Sequence, residues 1–480
     1  MPKFFVRWLE RSQISVSYET SGEEDEESYV EIRREGPTSC IIITDKSFAE
    51  YDTKTQVVVI PTDIVSIPDD LFSQHNALIK VVLPESLTRI GNEAFYQCVS
   101  LVSINLPRNL VEIGKGAFRH CSKLLFDPII LPLRVIGKGA FESCENLYEI
   151  RLGDSNVTTI EDATFVGCVR LRYVELPSSI VQIGKLAFYQ CRILPSIQLP
   201  PYLKVIGEKA FFKCTSLHSI SFPLSLEYIG KSAFEQCELL ESITFPTYGE
   251  RSLKVITSSC FTKCVKLRSI ALPSSIVEIR EYAFAGCVSL SRIQLPPLLK
   301  VIKWKAFGGC EKLRSICIPP SVKSLGNCTF EQCGLLSSVE LSPLMTTIKQ
   351  ATFANCVSLK VIDIPSSVSI IEYEAFYSCD SLSQVILQEN SVKEIQGCAF
   401  EDCKALRGIC LPSSLRVISS AAFQGCDALL SLGIENRRGL AIVETNHFMF
   451  PDSEWVNCKM RSMRDPVSYT HLRAHETRRY

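Results

Sequence analysis

Ile90-Gly91-Asn92-Glu93-Ala94-Phe95-Tyr96-Gln97-Cys98 is followed at once by Val99-Ser100-Leu101-Val102-Ser103-Ile104-Asn105-Leu106-Pro107. The whole pattern, I-G-x-x-A-F-x-x-C-x-x-L-x-x-I-x-L-P, then returns along most of the chain. Its opening aliphatic stands at Ile67, Ile90, Ile113, Ile136, Ile160, Ile183, Ile206, Ile229, Ile256, Ile279, Ile302, Leu325, Ile348, Ile371, Ile395 and Ile418. Most steps are 23 residues, two are 24 and one is 27. The residue five places on is always Phe, from Phe72 to Phe423. Three further on is Cys in fifteen units, and His75 in the first. A unit this short cannot bury its own apolar side, so it must stack on its neighbours, and the fold class is a repeat solenoid.

Within each unit the segment Leu-x-x-Ile-x-Leu alternates with period two and is expected to form a short strand facing the core with Leu and Ile. The Pro that follows removes a donor and ends it. Successive strands then pair in parallel into an inner sheet, about 4.8 Å apart. The segment exemplified by Ser178-Ser179-Ile180-Val181-Gln182-Ile183 is expected to give a second, outer strand. Ala-Phe-x-x-Cys is too short for a lasting helix and is read as a helical or 3₁₀ turn. Three places break the pattern: Asp127 replaces an inward Ile, four extra residues lie around Thr247–Arg251, and Leu152-Gly153-Asp154 replaces the strand-ending Leu-Pro.

The chain has 480 residues, 46% of them hydrophobic, with 51 basic and 52 acidic side chains. No basic run points to nucleic acid. No apolar stretch reaches the 18 or so residues of a membrane span, so no membrane segment is visible. The N-terminus does not read as a secretory leader, which favours a cytoplasmic placement. Fifteen of the 22 cysteines share one column beside inward Phe and Leu. There a thiol behaves as a small apolar group, and side chains pointing the same way on stacked coils make poor disulfides. Reduced, buried thiols are expected.

Residues 1–53 read as an acidic arm and N-terminal cap, 54–434 as the solenoid, and 435–465 as a C-terminal cap. The stretch Pro466–Thr477 resembles a translated sequencing adapter, which sets 466–480 aside as an artefactual tail.

Neither a nucleophile-base pair, a metal-ligand spacing nor a phosphate-binding glycine loop is present, so no catalytic residue and no cofactor is expected. Asn156-Val157-Thr158 and Asn327-Cys328-Thr329 match the glycosylation sequon, which matters only on a secretory route. Binding residues are sought at the outward positions of the inner strands. Ser recurs there, at Ser103, Ser196, Ser219, Ser242, Ser269, Ser315, Ser338 and Ser431. Aromatic and Arg side chains, the usual anchors of an interface, concentrate at Glu149 and Arg151 beside Tyr173 and Glu175. Arg292 and Gln294 make a weaker second cluster, and Glu340 with Asp363 an acidic step.

The repeat as a whole resembles the BspA-type leucine-rich repeats, over about Val57 to Ile434. That resemblance implies a curved solenoid with a parallel sheet on its inner face, and a tendency to bind proteins, host matrix or cells. It carries no catalytic residue. The expected function is a non-enzymatic scaffold that binds a protein partner along the concave face. The alternatives are a surface adhesin or receptor ectodomain, and an enzyme whose catalytic domain lies outside this chain.

Overall fold

In a computed structural model the described residues are 55–125, 132–153, 155–246, 252–419 and 421–429, with the backbone of five further strands. Those are Val30–Arg33, Ser39–Ile42, Ser431–Ile434, Ala441–Ile442 and Leu472–Arg473. The positions expected to form the Asp127 irregularity, the Thr247–Arg251 loop and most of both termini lie outside the described residues. The chain forms two compact units, Met1–Leu226 and Glu227–Tyr480. Each is a stack of parallel β-coils.

Every regular coil contributes to two ladders. The first contains strands such as Glu149–Arg151 and Tyr173–Glu175 in the first unit, and Ser269–Ala271 and Arg292–Gln294 in the second. Pairing is parallel and in register, with Glu149 opposite Tyr173 and Ser269 opposite Arg292. The second ladder holds only two residues per coil, such as Gln182–Ile183 beside Val205–Ile206. The expected outer strand therefore exists, shorter than the sequence suggested. In the coil after Tyr173–Glu175, Pro195 stands where Arg172 donates its N–H to the Tyr148 carbonyl one coil earlier. Proline has no such donor, and no strand forms at Ser196–Gln198. At the Leu152-Gly153 break the chain turns, with Gly153 at φ 46° and Ser155 N–H donating to the Leu152 carbonyl.

The core is a set of columns. In the first unit Phe72, Phe95, Phe118, Phe141, Phe165, Phe188 and Phe211 stack with centroids 5.2–5.6 Å apart. The second unit repeats this from Phe234 to Phe423 at 5.1–5.7 Å. Near-parallel planes at these separations are offset stacks, each contributing about 0.5–1.5 kcal/mol beyond burial.

The cysteine column is buried and unpaired, as expected. It also does something that composition does not show. Cys98 Sγ donates to the Phe72 carbonyl at 3.0 Å, and Cys121 Sγ to the Phe95 carbonyl at 3.0 Å. Phe95 O accepts the Cys98 N–H as well, at 3.2 Å. The thiol thus gives a buried carbonyl a second partner from the next coil, which an Ala or Val there could not do.

The Ala-Phe-x-x-Cys segment is not helical. No helix occurs among the described residues, and the expectation of outer helical turns is corrected. Two residues per coil take left-handed backbone, for example Glu93 at φ 53° and Gln97 at φ 56°, or Lys209 at φ 54° and Lys213 at φ 58°. A right-handed helix cannot pass through them. The N–H groups of these two residues and of the Phe between them instead donate to the next coil: Glu93 to Lys115 O at 2.7 Å, Phe95 to Ala117 O at 2.8 Å, Gln97 to Arg119 O at 2.8 Å. The turn is a third inter-coil ladder.

Candidate binding face

The outward positions of the first ladder alternate with core Ile or Val, so in the strand Tyr173–Glu175 only Val174 faces inward. This alternation puts Glu149, Arg151, Tyr173 and Glu175 on one surface, and the register sets Arg151 opposite Glu175. Arg151 Nε donates to Glu149 Oε1. The guanidinium also lies over the Tyr173 ring, 5.1 Å from its centroid. Glu149 is the more sheltered partner, its side chain 18% exposed against 43% for Arg151. The hydrogen bond that Arg151 donates to Glu149, then that carboxylate's charge, holds the arginine further into its charged form. A cation fixed by a carboxylate on its own strand and by a ring on the next loses little rotamer freedom when a partner docks. Glu175 supplies the backbone carbonyl that accepts Leu152 N–H at 3.0 Å, and its charge also acts on Arg151.

Three of the four expected residues therefore form one contact set, with Glu175 beside it. The sequence reading missed Tyr148, which is 49% exposed just before the same strand. The signal was available: Tyr148 precedes Glu149 at the corner position that Arg172 occupies one coil later.

The second cluster is looser. Arg292 and Gln294 are both exposed on one strand of the second unit, opposite Ser269 and Ala271. Among the described residues neither side chain makes a bond. Glu340 lies opposite Cys317, whose thiol is pushed up chiefly by a hydrogen bond with that carboxylate. Asp363 accepts from Gln388 Nε2 at 3.1 Å. No group of three potential metal ligands occurs among the described residues. No helix there is long and apolar enough to cross a membrane.

The chain matches the family model described as the BspA type leucine-rich repeat region over residues 41–156, 134–253, 254–383 and 369–461. Among solved structures it is similar to a leucine-rich repeat protein from Bacteroides ovatus at 26% identity and a TM-score of 0.48, covering 88% of this chain and 90% of that one. A leucine-rich cell surface protein from Faecalibacterium prausnitzii matches at 24% identity and a TM-score of 0.38, over 89% of this chain and 100% of that one. The pneumococcal vaccine antigen PcpA matches at 16% identity and a TM-score of 0.35, over 87% and 97%. A comparison with curated protein sequences finds no match.

Proposed function

Because the chain belongs to the BspA-type leucine-rich repeat family, we propose that it is a non-enzymatic scaffold that binds a protein partner through the outward face of its first ladder. The observation that carries this reading is the Arg151 platform. Its guanidinium is bonded to Glu149 and lies 5.1 Å from the Tyr173 centroid, while both Arg151 and Tyr173 stay accessible. Tyr and Arg held rigidly at an accessible surface are what binding hot spots are made of. Tyr148 and Glu175 extend the patch, and Arg292 with Gln294 offers a secondary contact in the second unit.

A photo-crosslinking amino acid at position 173 tests this. In an extract of the native source it should yield one dominant protein adduct, lost when Glu149, Arg151 and Tyr173's neighbour Tyr148 are replaced by Ala. The same probe at Gln182, on the second ladder, is the comparison. Equal labelling from both positions would reject the face.

A surface adhesin is the second reading. The F. prausnitzii protein is described as a cell surface protein. The thiols do not oppose this placement: burial shields the ladder cysteines in either compartment.

A further inference from the structure

Where each coil turns into its first-ladder strand, one exposed corner residue follows the buried Leu. In the second unit these corners begin with Glu241 and then run Arg268, Ser291, Arg314, Ser337, Lys360, Ser383, Arg407. Cations alternate with serines, so the charge repeats every second coil, roughly 9–10 Å at the spacing of parallel strands. All four cations are exposed, and among the described residues none has an acidic side chain within ion-pair distance.

The serines behave alike too. Ser291, Ser337 and Ser383 each donate both N–H and Oγ–H to the carbonyl of the cationic residue one coil back, at 2.9–3.2 Å. The tied-back hydroxyl leaves room beside each cation. Between Arg314 and Lys360 that room is a depression of about 320 Å³, bounded also by Leu335, Ser337, Ser358 and Ser381.

We propose that this corner column binds a linear acidic polysaccharide carrying one carboxylate per disaccharide. Each sugar ring advances such a chain by a distance close to one strand spacing, so a disaccharide spans close to two coils. Its carboxylates then meet successive cations, and the intervening neutral sugar lies in the depression against serine hydroxyls and Leu335. Other polyanions fit less well. An extended acidic peptide repeats on one face at about 6.7 Å, out of step with the cations. Single-stranded nucleic acid carries a phosphate on every nucleotide and binds through interleaved aromatic platforms; the column has no aromatic residue. Glu311 flanks the column on its turn side, and Glu340 and Asp363 lie further along the strands. These carboxylates repel a densely charged polymer more than a sparse one. Asp380, also nearby, is engaged by Lys404 at 3.1 Å.

The experiment is calorimetric titration of the full chain with a hyaluronan octasaccharide, whose four carboxylates match the four cations. The expected result is binding that weakens with salt and falls at least tenfold in Arg314→Glu/Lys360→Glu, with Lys323→Glu unchanged. Arg314→Gln/Lys360→Gln repeats the test with less risk to folding, which circular dichroism checks. Absence of octasaccharide binding to the wild-type chain would overturn the proposal, as would equal binding of a neutral dextran oligosaccharide. Tighter binding of polygalacturonate, charged on every ring, or of oligothymidylate would overturn the two-coil spacing and point to a general polyanion surface.

Discussion

Phe188 and Tyr173 sit in neighbouring coils of the same unit and do opposite things. Phe188 is fully buried, with Phe165 at 5.3 Å on one side and Phe211 at 5.2 Å on the other. Tyr173 is 45% exposed and its recorded ring contact is a cation, Arg151. The turn columns of Phe and Cys repeat because each residue must satisfy a coil before and a coil after it. The outward positions of the first ladder touch their neighbours only edge to edge, so they are free to vary. In this chain the residues that define the period hold the stack together, and those that depart from it are where recognition can reside.

The contrast should be sharpest in alkali. Burial pushes Cys287, Cys333 and Cys379 from an ordinary value of 9.0 up to about 12. Between those limits the unfolded chain has lost these protons and the folded chain has kept them. Stability is therefore fully present below about pH 9 and falls as pH rises toward 12, by up to about 1.4 kcal/mol per pH unit for each thiol. With many thiols in one column, cooperative loss of the β-signal in circular dichroism is expected between pH 9 and 12. Retention of the full signal to pH 12 would contradict the buried column. At pH 8 an alkylating reagent should label exposed Cys317 and Cys410 well before any ladder cysteine.

Single core changes come next. Phe188→Ala should lower stability by about 3–5 kcal/mol. Chemical unfolding read together with hydrogen exchange is the right measurement, since long repeat arrays need not unfold in one step. A loss below about 1 kcal/mol would mean that the stack relaxes around the gap.

Backbone crowding separates two glycines in the same way. A Cβ on Gly137 would lie 2.4 Å from Lys115 N, in the column where one coil's turn crosses the last, whereas one on Gly334 would meet nothing nearer than 4.0 Å. Gly137→Ala should cost about 1–3 kcal/mol. Gly334→Ala should change the unfolding midpoint little, and equal effects would remove the distinction.

Much of this was legible beforehand. The 23-residue period exposed the stack, the Phe and Cys columns, the alternation of the first ladder and the neighbourhood of Arg151 and Tyr173. The turn was not legible. Its left-handed positions hold Gly116, Gly139 and Gly167 in some coils, but Glu93, Leu186, Tyr282 and Lys305 in others. Those side chains do not announce that backbone. They adopt it because hydrogen bonds to the next coil over-determine it, a tertiary effect outweighing a local cost of order 1 kcal/mol. The Cys-to-Phe carbonyl bonds were hidden for a related reason, since they join residues 26 or so apart that only stacking brings together. The cation-serine column could be read from the letters, but its meaning depends on knowing that the residue after each buried Leu is an exposed corner.

The smallest effect on stability tests the comparison most directly. Tyr173→Ala removes an aromatic ring as large as most in the core, yet it leaves no enclosed cavity and breaks only the contact with Arg151. An exposed cation-ring contact contributes about 0.5–1 kcal/mol. The unfolding midpoint of Tyr173→Ala should therefore stay close to wild type, several-fold nearer than that of Phe188→Ala. Glu149 still holds the guanidinium in this variant, so Arg151 keeps its place while the ring beside it is gone. Loss of pull-down of the partner that the position-173 probe identifies, without loss of stability, would assign the ring to recognition. A destabilisation comparable to the Phe188 variant would instead make Tyr173 part of the stack, and the division between period and face would fail at the position chosen to represent it.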